Sequence, residues 1–300
     1  MSCTIDPMAL ARRMETSSDL TILDVLLPEH YQTYHIPGAV NACVYEIAFL
    51  DTVQLLVPDK NAPVVVYDTS KRSQASASAA RKLQESGYIN VCELAEGLEG
   101  WIAAGLPLEP KDARIPGEPT LLDKKYQIDC GKSLVTWTGR NLAGRHTGNL
   151  AISQGELTIE QGQLTGGRIV IDMKSISNLD LQQADYRSML VSHLLSEDFF
   201  EVSRYPSAEA RLLGSRPIPE ATPGRANYLV DADLTIKGIT HPVQFAAIIA
   251  PQPDCIKAHA TLDIDRTAWN VTYGSGRLFE MLGMHLVNDM VTLEFFLVAV

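Results

Sequence analysis

The run Val64-Val65-Val66-Tyr67 reads as a buried strand that feeds the polar stretch Asp68-Thr69-Ser70-Lys71-Arg72-Ser73, where side chains able to do chemistry concentrate. A carboxylate at a strand's end can serve as nucleophile or base, as in a phosphatase-like loop. Lys71 and Arg72, placed before a helix N-terminus, could hold an anion together with the backbone N–H groups. The plainer reading of the two cations is as solvated side chains, and it is the one adopted. Five cysteines, Cys3, Cys43, Cys92, Cys130 and Cys255, show neither paired spacing nor a Cys-x-x-Cys motif, so reduced, partly buried thiols are expected. Cys92 falls within a strand, where a thiol is usually inert. His146, His193, His241, His259 and His285 lack His-x-His or His-Glu-x-x-His spacing, so no metal site is expected, and no serine sits in a nucleophile elbow. Arg266, directly after Asp265, could meet an anionic or carbonyl head group or pair with a carboxylate. Gly274-Ser275-Gly276-Arg277 has the form of a small anion nest without the strand and helix of a phosphate loop.

The elements that must position these residues are of two kinds. Up to residue 108, short β-branched runs (Thr21 to Val25, Val64 to Tyr67) alternate with helical patterns such as Ala75 to Ser86, closed by Gly87. That alternation implies an α/β domain with a mostly parallel sheet covered on both faces. Four prolines between Leu106 and Thr120 mark a stiff connector, and a boundary placed at 109–122. From Tyr126 onward strand follows strand. Glu156 to Ile159 and Arg168 to Met173 flank the turn-prone Gln161-Gly162-Gln163. Tyr228 to Ile236 alternates apolar and polar residues, and Lys237-Gly238 turns it into Val243, Phe245, Ala247 and Ile249. Ala258 to Ile264 repeats the alternation, and Met290 to Val300 is apolar on nearly both faces, with Phe295 on one and Phe296 on the other. About eight antiparallel strands would have exposed edges unless they closed, so residues 123–300 are expected to form an all-β antiparallel eight-stranded barrel.

Composition sets outer limits. The chain has 300 residues, 46% apolar and 20% charged, which is ordinary for two folded domains. A formal charge of −11 argues against nucleic acid as partner, since binding it rewards clustered Lys and Arg. Residues 1–13 lack an apolar stretch of signal-peptide length, and no segment is long enough to span a bilayer, so a cytoplasmic location is expected.

Several separated pieces of the first hundred residues are similar to the rhodanese family. They are Thr21-Ile22-Leu23-Asp24-Val25, His35-Ile36-Pro37-Gly38-Ala39-Val40-Asn41, Gly87-Tyr88-Ile89-Asn90-Val91 and Gly97-Leu98-Glu99-Gly100-Trp101, closed by Ala104-Gly105-Leu106-Pro107. The resemblance implies a loop thiolate that attacks and holds sulfur as a persulfide. Counting from the Val-Val-Val-Tyr strand puts Asp68 in the cysteine's place, and counting back from Gly87 shifts the position by about two residues without meeting a cysteine. Glu96 stands where the family usually has glycine. The implied module is a rhodanese-like domain at residues 1–108 that is an inactive sulfurtransferase homologue.

The second part resembles the YceI-like family of lipocalin-like barrels, whose members bind polyisoprenoids and other long-chain amphiphiles. The resemblance rests on Asp198-Phe199-Phe200-Glu201-Val202 with Arg204-Tyr205-Pro206. Ile171 to Ile176, Ala232 to Val243 and Asp263 to Arg266 support it. The segment Arg140-Asn141-Leu142-Ala143-Gly144-Arg145-His146 and the long insertion from Trp269 to Asn288 depart from the commoner pattern, and both are expected near the cavity mouth. Candidate ligand-binding residues are Trp137, Phe199, Phe200, Tyr205, Phe245, Arg266, Trp269, Arg277, Phe279 and Met281. Leu278, Phe279, Met281, Leu282 and Met284 read either as a lid or as core under a long loop, and the Phe pair reads either as cavity wall or as a plug.

The function expected is that of a binding protein, not an enzyme. A long-chain lipid, isoprenoid-type or fatty amphiphile would be sequestered in the barrel, each buried CH₂ contributing about 0.8 kcal/mol. The first domain would serve docking or regulation toward an unidentified protein partner, no cofactor is called for, and homodimerisation is admitted. The competing readings are an enzyme using Cys92, Cys43 or Asp68, and an interaction protein whose barrel is filled by its own side chains.

Overall fold

The computed structural model describes residues 3–17, 19–111 and 120–300, and the chain divides into two compact units, 1–117 and 118–300. Among the described residues no helix is long and apolar enough to cross a membrane.

The first unit runs β1 (Cys3–Ile5), α1 (Pro7–Thr16), β2 (Thr21–Asp24), α2 (Pro28–Thr33), β3 (Val40–Asn41), α3 (Phe49–Leu56), β4 (Val64–Tyr67), α4 (Ala75–Glu85), β5 (Val91–Leu94) and α5 (Gly97–Ala103). Its strands form one parallel sheet in the order β1-β5-β4-β2-β3. All four residues of β4 are buried because successive side chains enter different cores. Val64 and Val66 pack with Leu23, Phe49 and Leu83, whereas Val65 and Tyr67 pack with Leu10, Ile22 and Trp101. A continuous apolar run is what a strand covered on both faces requires.

One expectation for this unit is corrected. The N-terminal residues gave no strand signal, yet β1 pairs in parallel with β5 and sets Cys3 opposite Cys92 with Cα atoms 4.5 Å apart, where the two sulfurs are bonded. That separation lies within the range a disulfide needs, so Cys3 and Cys92 are not reduced thiols, while Cys43, Cys130 and Cys255 are free. The stretch around the expected connector, 109–122, is packed at both ends. Leu106 and Leu108 pack on the first core, and His35 and Glu109 exchange two backbone hydrogen bonds of 2.9 Å. At its other end Leu121 is buried in the barrel core, and Asp123 accepts the N–H groups of Gln161 and Gly162. Residues 112–119 of the expected connector lie outside the described residues.

The second unit comprises β6 (Lys125–Gln127), β7 (Leu134–Arg140), β8 (Arg145–Glu160), β9 (Gln163–Asp172), α6 (Ala184–Leu195), β10 (Ser207–Pro217), β11 (Tyr228–Ile236), β12 (Ile239–Pro251), β13 (Ile256–Asp265) and β14 (Met290–Ala299). The eight strands β7 to β14 close into an antiparallel barrel, since β8 pairs with both β7 and β9, and β6 adds to β8 from outside the ring. Val230, Ala232, Leu234 and Ile236 of β11 point inward on alternate residues, as do Ala260, Leu262 and Ile264 of β13. The two-residue turns Gln161-Gly162 and Lys237-Gly238 have positive φ at both positions, matching the strand twist in tight hairpins. Two connections are long: β9 to β10, which carries α6, and β13 to β14. Both leave the barrel at the end that also bears the β7–β8 and β11–β12 turns.

Candidate functional site

In the first unit the site is the loop from β4 to α4. The Asp68 side chain is buried, and its Oδ2 accepts the Ser76 N–H at 2.8 Å in the first turn of α4. The loop backbone is clamped from the other side, since Leu98 and Glu99 donate their N–H groups to the carbonyls of Asp68 (2.8 Å) and Thr69 (2.9 Å). Such an approach needs Gly97, whose added Cβ would sit 2.7 Å from the Asp68 carbonyl oxygen and the Ser70 nitrogen. Next to it Glu96, in the family's glycine position, adopts the left-handed φ of 65°. Asp68 thus occupies with its own carboxylate the place at the helix N-terminus where an external anion would sit. Lys71 is exposed, 3.9 Å from Glu96, and Arg72 is also exposed, in keeping with solvated side chains. Cys43 is buried and the Cys92 sulfur is bonded to Cys3, so neither presents a free, accessible thiolate.

Beneath this loop lies a buried carboxyl group. Asp24, fully buried at the end of β2, accepts the Leu26 N–H at 2.9 Å and faces Tyr67 and Asn41. Burial pushes its carboxyl above the ordinary range against these hydrogen bonds, and burial together with Asp24 pushes the Tyr67 phenol up.

In the barrel the interior is apolar and holds two cavities. The larger, about 160 Å³, lies at the end with the long connections. The smaller, about 50 Å³, lies in the opposite half, and Leu234 lines both. Five of the ten ligand candidates, Trp137, Phe199, Phe200, Arg266 and Trp269, wall the larger cavity. The Trp137 indole donates to the Ser177 carbonyl at 3.1 Å and passes over Gly148, where an added Cβ would lie 2.7 Å from its Nε1. Trp269 donates to the Leu234 carbonyl at 3.0 Å, so both rings are fixed by a polar edge while their faces line apolar space.

The other five candidates are placed differently. Phe245 belongs to the smaller cavity, stacked on Phe295 at 6.5 Å. Tyr205 lines neither cavity and packs against the β11–β12 turn at Gly238. Arg277 is drawn outward by Asp265 at 2.6 Å. Leu278, Phe279 and Met281 are exposed, Met281 completely, and line neither cavity, so they are neither a closed lid nor core. Arg266 walls the cavity, and each of its three nitrogens donates to a backbone carbonyl: Nε to Asn288 (3.0 Å), Nη1 to Val271 (2.6 Å) and Nη2 to Val287 (3.0 Å), with the carboxylate of Asp289 at 3.6 Å. Burial lowers its pKa against the pull of Asp289 and Asp265. These contacts pin the β13–β14 connection.

Sequence reasoning placed the segment Arg140 to His146 at the mouth without choosing residues from it. Arg140, Arg145 and His146 do line the larger cavity. His146 Nδ1 is 2.8 Å from Asp180 Oδ2. Desolvation raises the Asp180 carboxyl, but the Thr147 N–H, His146 and Asn178 outweigh it and hold the group below its ordinary range. Among the described residues no cluster of three His, Cys, Asp or Glu side chains is disposed to hold a metal.

With this geometry in place, comparison with known proteins gives a YceI-like domain over residues 126–299, more than half of the chain, and a rhodanese-like domain over residues 6–104. The chain belongs to the YceI-like family and carries a rhodanese-like domain before the barrel. Among curated proteins, thiosulfate sulfurtransferase PspE of Escherichia coli is 40% identical over 77 residues, covering 26% of this chain and 69% of that protein. An HTH-type transcriptional regulator of Mycobacterium tuberculosis is 34% identical over 100 residues, covering 33% of this chain and 42% of its own length. Among solved structures, Burkholderia cenocepacia BcnA has 24% identity and a TM-score of 0.45, covering 58% of this chain and 99% of that one. A polyisoprenoid binding domain from Saccharophagus degradans implicated in plant cell wall breakdown has 16% identity and a TM-score of 0.44, covering 58% of this chain and 97% of its own.

Proposed function

We propose that the barrel sequesters or carries an isoprenoid-type or other long-chain amphiphile, and that the rhodanese-like domain is a non-catalytic docking or regulatory module. The observation that carries the reading is the larger cavity, walled by aromatic and aliphatic side chains and bordered at one end by exposed residues of the β7–β8 turn. An apolar cavity of about 150 Å³ takes a benzene-sized guest, so 160 Å³ accommodates the first part of a chain. A longer chain needs the side chains around Leu234 to move so that the two cavities join. Apolar burial then supplies affinity in proportion to length.

For the first domain, Asp68 offers no sulfur on which a persulfide could form. A cytoplasmic location belongs to the same proposal, with the Cys3–Cys92 bond as the observation against it, because disulfides persist mainly in oxidising compartments. Mass spectrometry of organic extracts of natively purified protein tests the carrier reading. A co-purifying amphiphile whose release empties the barrel supports it, whereas delipidated protein that takes up no amphiphile of any length leaves a self-filled interaction protein as the better account. Thiosulfate:cyanide turnover above a no-enzyme control, abolished by replacing one cysteine, would show the first domain to be an enzyme.

A further inference from the structure

The inward face of the β7–β8 hairpin carries a single ionisable side chain, and it stands at the cavity mouth. Val135 pairs with Leu150, Trp137 with Gly148 and Gly139 with His146, so alternation puts these pairs on a common face. Val135, Trp137 and Leu150 are buried in the barrel core, which makes that face the inner one. Arg140 and Arg145 also border the cavity, but the same alternation turns their side chains to the outer wall, where Arg140 meets Thr292. His146 is the first inward side chain of β8 after the turn, 42% exposed and lining the larger cavity. Across from it Gly139 has no side chain, and an added Cβ there would find Trp137 at 3.8 Å and nothing nearer.

The imidazole is held by one nitrogen. Nδ1 lies 2.8 Å from Asp180 Oδ2, while Asp180 Oδ1 accepts the Thr147 N–H at 2.8 Å and the side-chain amide of the buried Asn178 at 2.6 Å. Against desolvation, these hydrogen bonds hold the Asp180 carboxyl below its ordinary range, so it only accepts and Nδ1 carries the ring proton. Nε2 is left with a lone pair on the far side of the ring from Asp180, and among the described residues nothing donates to it.

We infer that His146 Nε2 is the head-group acceptor of the barrel and that the head it takes is a hydroxyl, which makes the ligand a long-chain alcohol. The inference rests on the carrier reading above and adds the chemistry of the head. A neutral ring beside the Asp180 carboxylate is a negative pair, which repels a carboxylate or phosphate head. Arg140 and Arg145, exposed on the outer wall of the same hairpin, disfavour an ammonium head. A hydroxyl is neutral, donates one hydrogen bond, and costs far less than an ion to bring beside apolar walls. Asp180 acts as the positioning residue, because it fixes which nitrogen is bare. One such bond sets which end of the chain stays at the mouth, while apolar burial supplies the affinity.

The test uses the full chain, delipidated, with decanol, its isomer methyl nonyl ether, decanoate and decylamine as probes, and titration calorimetry as readout. The ether matches decanol in size and has an oxygen but no donor. Wild type is expected to bind decanol about three- to tenfold more tightly than the ether, the worth of one hydrogen bond. H146F removes the acceptor and brings that ratio to about one or below, and H146A serves the same purpose if H146F does not fold. H146Q keeps an acceptor oxygen and retains part of the ratio, and D180N, which no longer fixes the proton on Nδ1, lowers it with His146 still in place. A ratio near one in wild type, or one that survives in H146F, overturns the inference and leaves the carrier reading standing. Decanoate or decylamine bound more tightly than decanol overturns the hydroxyl assignment. If no amphiphile binds to wild type, the carrier reading falls and this inference with it.

Discussion

At the end of β4 and at the β7–β8 end of the barrel the chain places two basic residues close together, and the two places are finished differently. In the loop the seat at the head of α4 is taken by the Asp68 carboxylate, and Lys71 and Arg72 stand in solvent. At the β7–β8 hairpin Arg140 and Arg145 are opposed in register, and Arg140 reaches Asp263 through the Thr292 hydroxyl. An internal carboxylate satisfies the helix N-terminus within the chain, whereas like charges opposed across a strand pair cost stability. The contrast is one of charge: the loop answers its own helix N-terminus with a carboxylate, whereas the hairpin sets like charges opposite one another.

The largest effect expected separates the two units. Cys3→Ser, or reduction, removes a crosslink that closes 89 residues of separation, and should lower the first unit's stability by about 2–4 kcal/mol. Calorimetry should show that transition alone move; a shift of both would mean the units unfold together. Asp68→Ala strips the Ser76 N–H of its acceptor and should cost about 1–2 kcal/mol in denaturant melts, with Asp68→Asn milder. An unchanged midpoint for Asp68→Ala would break the comparison at its first half. Glu96→Gly should stabilise by about 0.5–1 kcal/mol by relieving a left-handed backbone.

The buried Asp24 gives a signed pH dependence. Its folded-state carboxyl titrates above the ordinary 3.8, so its contribution is fully present below that value and is lost as pH rises through the folded value. Asp24→Asn should therefore flatten the fall in melting temperature over this window and melt higher than wild type at neutral pH. The smallest effect belongs to the mouth. Arg145→Gln should change stability by no more than about 0.5 kcal/mol, and if anything raise it. A clear loss would show the hairpin to depend on that side chain.

Much of the architecture was readable because strand periodicity and turn chemistry agree. Val230 to Ile236 and Ala260 to Ile264 alternate on the inward face, and Lys237-Gly238 turns between β11 and β12 as its composition requires. Trp137 lies on the inward face of β7 by alternation, and Phe199, Phe200 and Trp269 reach the cavity from the two long connections. What could not be read was direction and pairing. Nothing local distinguishes Phe245, on one half of the barrel, from Phe199 on the other, nor shows that Phe279 and Met281 turn outward. Arg266 could be read toward a head group or toward a carboxylate; Asp289 stands 3.6 Å away, and the carbonyls it also meets, 5 to 22 residues away, carry no side-chain signature. Arg140 and Arg145 were within the segment singled out, and their opposition followed only once the hairpin register was fixed. Cys3 and Cys92 show the same limit, since spacing does not reveal which strands lie side by side.

The sulfur bond between β1 and β5 also changes what a cut in the chain can do. It turns residues 3–92 into a covalent ring enclosing the β4–α4 loop, so a protease that severs one peptide bond inside it does not release either piece. A nicked molecule keeps its mass on a non-reducing gel and separates only when reductant is added. Damage to the first unit can therefore remain hidden for as long as the surroundings stay oxidising.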